Sequence, residues 1–224
     1  MARDSFKFLL LFAVLIISAA PLSAREPENL HTAKQAAIFY HDSGEYDVDR
    51  EAVSEEAIAF LASKIAENKA LSEPQKLAVV FDIDETSLTN YDILLSLDFA
   101  FVGFLLQPEL EKAEDPAIDP TLKLYEFAKK NDVAIFFITG RNEILRAATE
   151  KNLKDVGYAE WAKLFMKPND YDKNSVIPYK SGSRKSVEGE GYKIIVNIGD
   201  QWSDLAGGYS ERVFKLPNPY YYVP

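Results

Sequence analysis

The polar and apolar positions change texture once along this chain. Residues 28–40 read as a helix, ended by the Asp42-Ser43-Gly44 turn. A longer helix is predicted over about 49–70. There Val53, Ala57, Phe60, Leu61 and Ile65 recur at helical spacing on one face, charges occupy the other, and Ser72-Glu73-Pro74 breaks the pattern. Beyond it, short continuous apolar runs take over. Residues 77–81 form the first and stop abruptly at Asp82; others lie at 133–138, 194–198 and 213–216, with a weaker one at 164–166. Helical stretches at 121–130 and 142–155 separate them, the latter closed by Gly157. Strands without polar alternation are buried on both faces, and strand–helix alternation predicts an α/β fold with a parallel sheet. Ligands of such sheets bind beyond the carboxyl ends of the strands.

The start of the chain follows another pattern. Arg3 and Lys7 precede an unbroken apolar run over 8–17, and Ser18, Ala19, Ala20, Pro21, Leu22, Ser23 and Ala24 follow. This predicts a signal peptide over 1–24, cleaved after Ala24, and an exported chain, periplasmic or secreted. The alternative is a membrane anchor, but the run is short of the ~20 apolar residues that span a bilayer, so no stable anchor is expected after cleavage. Cysteine is absent, which rules out disulfides, thiolate chemistry and a lipid-bearing cysteine.

At 47% hydrophobic and 27% charged, 224 residues suffice for one domain with a sizeable core. The formal charge of −10, with no basic stripe, argues against a nucleic-acid partner. It leaves room for a small anionic substrate met by a few gathered cations.

The unusual residues sit at strand ends. The first strand ends in Asp82-Ile83-Asp84-Glu85-Thr86. In the chemical reading, Asp82 attacks phosphorus to form an aspartyl-phosphate, and Asp84 protonates the leaving oxygen and then deprotonates water. A loop is required at Ile83 for both side chains to face one phosphate. The second strand ends in Thr139-Gly140-Arg141, where a hydroxyl can donate to a phosphoryl oxygen and glycine lets the backbone approach closely. Arg141 either adds charge to the substrate site or pairs with a neighbouring carboxylate. Two carboxylates and a phosphate dianion need a fixed cation. Lys180 is the choice, with Arg184 and Lys185 behind it; a solvated lysine on a polar loop is the plain alternative. A later strand ends in Gly199-Asp200-Gln201-Trp202-Ser203-Asp204. Magnesium takes oxygen ligands. Asp82 and Asp200 supply carboxylates, the Asp84 carbonyl is a further candidate, and Asp204, one helical turn on, is a ligand or supports one.

Together, Asp82-x-Asp84-x-Thr86, Thr139, Lys180 and Gly199-Asp200-x-x-x-Asp204 resemble the four motifs of the haloacid dehalogenase (HAD) superfamily. More closely, the chain resembles its acid phosphatases of class B or class III type, which include plant vegetative storage proteins. Ser43-Gly44-Glu45-Tyr46, Thr139-Gly140-Arg141-Asn142-Glu143, Tyr179-Lys180-Ser181 and Phe214-Lys215-Leu216-Pro217-Asn218-Pro219 carry the likeness beyond the motifs. The resemblance implies a Rossmann-like core over 76–224 with a small cap insertion at about 90–120, preceded by a helical extension over 25–75. It also implies Mg²⁺-dependent hydrolysis of phosphomonoesters at acidic pH.

Three rivals remain on sequence grounds. A dehalogenase has no use for Asp84, because halide leaves without a proton. A phosphotransferase differs only in the acceptor of the second step. A storage or binding protein would keep the fold without turnover. The other conspicuous residues have plainer readings. His31 and His41 are expected at the surface or in helix packing. Phe99, Phe101, Phe104, Leu105 and Leu106 are expected to pack a core more than to form a lid. Tyr220-Tyr221-Tyr222 is expected on the sheet edge. The N-terminal helices either complete the core or build an interface with a second copy.

Overall fold

The computed structural model describes residues 26–224; the expected signal peptide and its cleavage point lie outside the described residues. Two helices come first, α1 (Leu30–Asp42) and α2 (Glu45–Lys69). The Asn29 side chain accepts from the His31 N–H and caps α1. Gly44 adopts φ 83°, a left-handed conformation that turns the chain at once into α2. That is why α2 starts at Glu45, ahead of the expected position.

The strands are β1 (Lys76–Phe81), β2 (Ala134–Asn142), β3 (Lys163–Lys167), β4 (Tyr192–Gly199) and β5 (Arg212–Lys215). They form one sheet in the order β3-β2-β1-β4-β5, and every pairing is parallel, as the unalternating runs predicted. Each face of the sheet is buried. Leu77, Val79 and Phe81 of β1 enter a large cluster with Leu61 of α2 and Leu124 of α5 (Asp119–Lys130). Ala78 and Val80, on alternate positions, join Phe136, Ile138 and Val187 on the opposite face. Val187 belongs to α7 (Ile177–Gly189). Burying a side chain such as Phe81 or Leu61 contributes on the order of 2 kcal/mol, so these two layers fix the sheet between helices.

Between β1 and α5 lie two short helices, α3 (Tyr91–Ser96) and α4 (Gly103–Leu110). The remaining helices are α6 (Arg146–Asp155) and α8 (Trp202–Leu205). α6 begins later than expected because β2 continues through the Thr139-Gly140-Arg141 segment to Asn142, which still pairs with Lys167 of β3. A short 3₁₀ turn over Glu143–Leu145 then precedes α6.

Two expectations are corrected. The C-terminal tyrosines do not lie along the sheet edge. Tyr220 is buried against Tyr46, Tyr91 and Phe99, and the tail crosses the carboxyl ends of the strands, held by Val223 N–H to the Gln201 side chain (3.1 Å) and Val176 N–H to the Pro224 carbonyl (3.0 Å). Nor does the apolar run over 99–106 simply pack a core. Leu106 is buried and Phe99 packs on Tyr220, but Phe104 is 77% exposed and Phe101 45%. The reason is helix geometry: α4 has room for one buried face, and Phe104 falls on the other. His41 does pack, stacked on Tyr91 at 3.4 Å. Among the described residues, no helix is long and apolar enough to cross a membrane.

Candidate active site

β1 and β4 are neighbours at the centre of the sheet, with Phe81 opposite Ile198. The chain therefore leaves both strands side by side. Asp82 follows β1 directly, its N–H still donating to the Ile198 carbonyl at 3.0 Å. The chain then turns. The carbonyl of Ile83 accepts from the N–H groups of Thr86, Ser87 and Leu88 (3.2, 2.8 and 2.9 Å), and Glu85 takes a left-handed φ of 53°. This is the loop the two aspartates required, and Asp82 and Asp84 both line one cavity of about 240 Å³.

Lys180 lies on α7, not on a loop. Lys180, Ser183, Arg184 and Val187 form the buried face of that helix at positions i, i+3, i+4 and i+7. Its ammonium donates to Asp82 Oδ1 at 2.6 Å and to Asp204 Oδ1 at 2.5 Å. Arg184 has a different task. Its guanidinium donates to the backbone carbonyls of Asp204 (2.5 Å), Ala206 and Gly208 (2.8 Å), bracing the chain around α8. Lys185 is exposed.

At the end of β4, Asp200 accepts from Thr86 Oγ1 (3.2 Å), from the Gln201 amide (2.7 Å) and from the Asn218 amide (2.6 Å). Asp204 Oδ2 accepts from the Gln201 N–H at 2.8 Å, which curls α8 back over Gly199. A Cβ on Gly199 would sit 2.5 Å from Asp204 Cβ, so only glycine allows this approach.

One oxygen from each of Asp82, Asp200 and Asp204 lies within 4.8 Å of the others, and all three residues are buried. Among the described residues Lys180 is the single cation paired with the group, so the charge is left uncompensated. Burial, then the nearby charge of Asp204, pushes Asp82 well above the usual carboxylate range and Asp200 to about 7. Burial opposes the charge on Lys180, but Asp204 and Asp82 outweigh it and hold the ammonium. An all-oxygen, anion-rich donor set of this kind fits a hard divalent cation.

The carboxylate of Asp84 stands outside that group. Its Oδ1 accepts from Arg141 Nε (3.0 Å), Arg141 Nη2 (2.8 Å) and the Asn90 amide (2.6 Å). Burial pushes Asp84 up, yet the Arg141 charge and these hydrogen bonds together hold it below its ordinary value. Arg141 Nη2 also reaches Asp115 Oδ2 at 2.9 Å, and its side chain is 1% exposed. Of the two readings of Arg141, the geometry is that of carboxylate pairing. Asp115 itself is pushed up to about 6 by burial, against the pull of Arg141. Thr139 is fully buried and its Oγ1 accepts from the Arg141 N–H at 3.0 Å, while Gly140 lines the cavity.

The cavity has a second, apolar wall. Leu94, Phe101, Leu106 and Leu110 from the segment between β1 and α5 face Val176 and Tyr221, and the Phe101 ring stacks on Tyr221 at 4.1 Å. Three lining or supporting residues escaped the sequence reading, Asn90, Asp115 and Lys167, and Tyr221 was expected at the sheet edge. Asn90 and Asp115 are isolated polar residues between β1 and α5 and carry no spacing signal. Lys167 closes the weakest apolar run, and its half-buried ammonium is lowered by burial and then by Lys180. Asn218, by contrast, lay in the Leu216-Pro217-Asn218-Pro219 stretch already singled out.

Carboxylates on a central strand and its neighbour, one buried lysine between them and a cap above define a phosphohydrolase of the HAD type. The chain belongs to the HAD superfamily, subfamily IIIB (Acid phosphatase), whose pattern matches residues 24–224. Among curated proteins it is similar to Acid phosphatase 1 of Solanum lycopersicum, 35% identical over 182 residues, covering 80% of this chain and 69% of that one. Vegetative storage protein 1 of Arabidopsis thaliana is 36% identical over 191 residues, covering 81% of this chain and 67% of that protein. Among solved structures, the Class C acid phosphatase from Bacillus anthracis superposes with a TM-score of 0.70 over 86% of each chain at 21% identity, a likeness of fold. The chain is a phosphatase of the acid phosphatase class.

Proposed function

We propose that the chain hydrolyses small-molecule phosphomonoesters by way of an aspartyl-phosphate on Asp82, with magnesium as cofactor. The observation that carries the proposal is the pairing of Asp82 with Lys180 at 2.6 Å, beside a second carboxylate, Asp84, held ionised outside the acidic cluster.

In the first step an Asp82 oxygen bonds to phosphorus and the ester P–O bond breaks. The departing oxygen takes its proton from Asp84. That carboxyl is ionised in the substrate-free protein, but a phosphoryl dianion set against it raises its proton affinity and lets it enter the step protonated. In the second step water attacks the same phosphorus and gives a proton to Asp84. Phosphate departs and the Asp82 carboxylate is regenerated. Lys180 offsets charge on the phosphoryl oxygens throughout. Thr139, whose oxygen accepts from Arg141, keeps its own proton for a phosphoryl oxygen, alongside the Gly140 backbone. Arg141 acts on substrate through Asp84. Asp82, Asp200 and the Asp84 carbonyl, with Asp204 supporting, would hold magnesium, which would supply the positive charge that lets a dianion approach buried carboxylates.

The test is hydrolysis of p-nitrophenyl phosphate across pH 4 to 9, with Mg²⁺, with EDTA, and with Asp82→Asn. Metal-dependent turnover lost on substitution is expected; full activity in Asp82→Asn, with deamidation excluded, sinks the mechanism. A storage role is the second reading, favoured by the names of relatives such as Vegetative storage protein 1. It predicts a folded, Mg²⁺-loaded protein without turnover on a panel of phosphate esters. Product analysis with added glycerol separates hydrolysis from phosphotransfer.

We infer further that residues 1–24 direct export and that the mature chain, from residue 25, works in the periplasm or after secretion. On the same reading 25–75 is a helical extension, 76–224 the catalytic core and 90–120 its cap.

A further inference from the structure

The Ser43-Gly44-Glu45-Tyr46 segment lies far in sequence from the carboxylates, and the chemistry above makes no use of it. Its structure connects it to them. Tyr46, the second residue of α2, is fully buried. The Arg50 guanidinium stands 4.0 Å from its ring centre, and Tyr220 meets it edge-on at 5.5 Å. Packed in this way, the ring points its hydroxyl at Glu85 and donates to Oε2 at 3.1 Å.

Glu85 is the residue after Asp84, and two things about it require support. Its φ of 53° is sterically unfavourable for any residue with a Cβ, and its carboxylate is fully buried. Within the loop the Glu85 N–H donates to the Leu88 carbonyl (2.8 Å) and Thr89 Oγ1 reaches both carboxylate oxygens (3.4 Å); the remote support comes from α2. Tyr46 holds Oε2, while the Asn90 N–H donates to Oε1 at 2.6 Å. The Asn90 side-chain amide in turn donates to Asp84 Oδ1 at 2.6 Å. An unbroken series of hydrogen bonds therefore runs from α2 through Glu85 and Asn90 to Asp84.

We propose that Tyr46 is a positioning residue for the phosphatase reaction: through Glu85 and Asn90 it holds Asp84 alongside the tether to Arg141, and both anchors set where Asp84 stands. The N-terminal helix pair then belongs to the active centre, beyond completing a core or forming an interface. The proposal rests on the acid–base reading of Asp84. A proton donor displaced by a fraction of an ångström loses rate without losing substrate affinity, because the misplacement is felt in the transition state.

The measurement is kcat and KM for p-nitrophenyl phosphate with Mg²⁺, inhibition by inorganic phosphate, and the melting temperature, on the parent chain and its variants. Tyr46→Phe removes one hydroxyl and keeps the ring. It is expected to lower kcat by ~10-fold or more, with KM and phosphate inhibition within about twofold. Leu61→Ala, a core change on the same helix, controls for loosened packing; it is expected to lower the melting temperature and, assayed well below it, to keep kcat within about twofold. Asn90→Ala cuts the last link, so adding Tyr46→Phe to it is expected to cost nothing more. Glu85→Gln weakens the same link, is expected to move kcat in the same direction, and serves if Tyr46→Phe does not fold. An unchanged kcat in folded Tyr46→Phe, or in Glu85→Gln where Tyr46→Phe does not fold, overturns the proposal. So does an equal loss in Leu61→Ala, or losses that multiply in the double variant. These outcomes presuppose an active parent silenced by Asp82→Asn. An inactive parent, or an active Asp82→Asn, overturns the aspartyl-phosphate mechanism proposed above and this proposal with it.

Discussion

Removing divalent metal should invert the ordinary pH dependence of stability. Lys180 is one cation among Asp82, Asp200 and Asp204, and burial carries Asp200 from 3.8 to about 7. A carboxyl whose folded pKa is raised binds its proton more tightly in the folded state. Its contribution is fully present below the unfolded pKa and is lost as pH rises through the folded one. For Asp200 the window runs from about 4 to about 7. Moving from pH 5 to pH 8 then removes on the order of 3 kcal/mol, at ~1.4 kcal/mol per pKa unit. In a chain of 224 residues that is a fall of roughly 6–12 °C in melting temperature. The assay is urea or thermal unfolding in EDTA at pH 5, 6.5 and 8, repeated with Mg²⁺. Cation binding to the ionised cluster should restore stability at pH 8, by ~2.7 kcal/mol at a hundred times the dissociation constant, and should do less at pH 5, where protons compete. Asp200→Asn should flatten both the pH slope and the Mg²⁺ response. Metal-free stability that holds level or rises between pH 5 and 8 would show that these carboxylates are already neutralised, and the metal-site argument would fall with it.

Gly199→Ala is expected to lower activity by ~100-fold or more, because its Cβ would meet Asp204 at 2.5 Å and displace the contact with Lys180; kinetics with saturating Mg²⁺ check this. Arg141→Met strands Asp84 and Asp115 without their cation and should cost ~3–5 kcal/mol in urea unfolding at pH 8. That cost should shrink toward pH 5, since Asp115, at about 6 even beside the guanidinium, then takes up a proton. Phe101→Ala should raise KM for aryl phosphates by up to ~10-fold, the worth of one stacked pair, and leave glycerol phosphate unchanged. Phe104→Ala, outside the cavity and 77% exposed, should alter neither.

The sheet was legible because its strands are buried on both faces and so carry no polar alternation; an apolar run ending in Asp82 or Asp200 could only be a strand end. The residues brought to those ends were legible for the same reason. Lys180 was harder: a lysine in a basic stretch reads as solvated, and only the helical phase of α7, which turns Lys180 and Arg184 inward and Lys185 outward, tells them apart. Arg141 remained open between substrate and carboxylate because its partner Asp115 comes from the loop after α4, whose position no periodicity encodes. The tyrosine tail went astray for a related reason. Its path is set by polar contacts to Gln201 and Val176, not by a pattern of its own apolar residues.

The placement of β4 beside β1 has a bearing on how activity emerges during refolding. Lys180 and Asp82 are 98 residues apart in sequence, and Thr86 and Asp200 are separated by 114. Closing spans of that length is entropically costly, and such contacts form late. A half-assembled sheet of β1, β2 and β3 would hold Asp82 and Asp84 but neither the lysine nor the second pair of carboxylates. Trp161, packed on Phe137 of β2 at 5.7 Å, sits in that early half. With the second tryptophan removed as Trp202→Phe, the fluorescence of Trp161 after dilution from urea should settle before turnover returns. Regained catalysis therefore times the docking of β4, and the lag between the two signals measures the lifetime of a chain that is folded on one side and still inert.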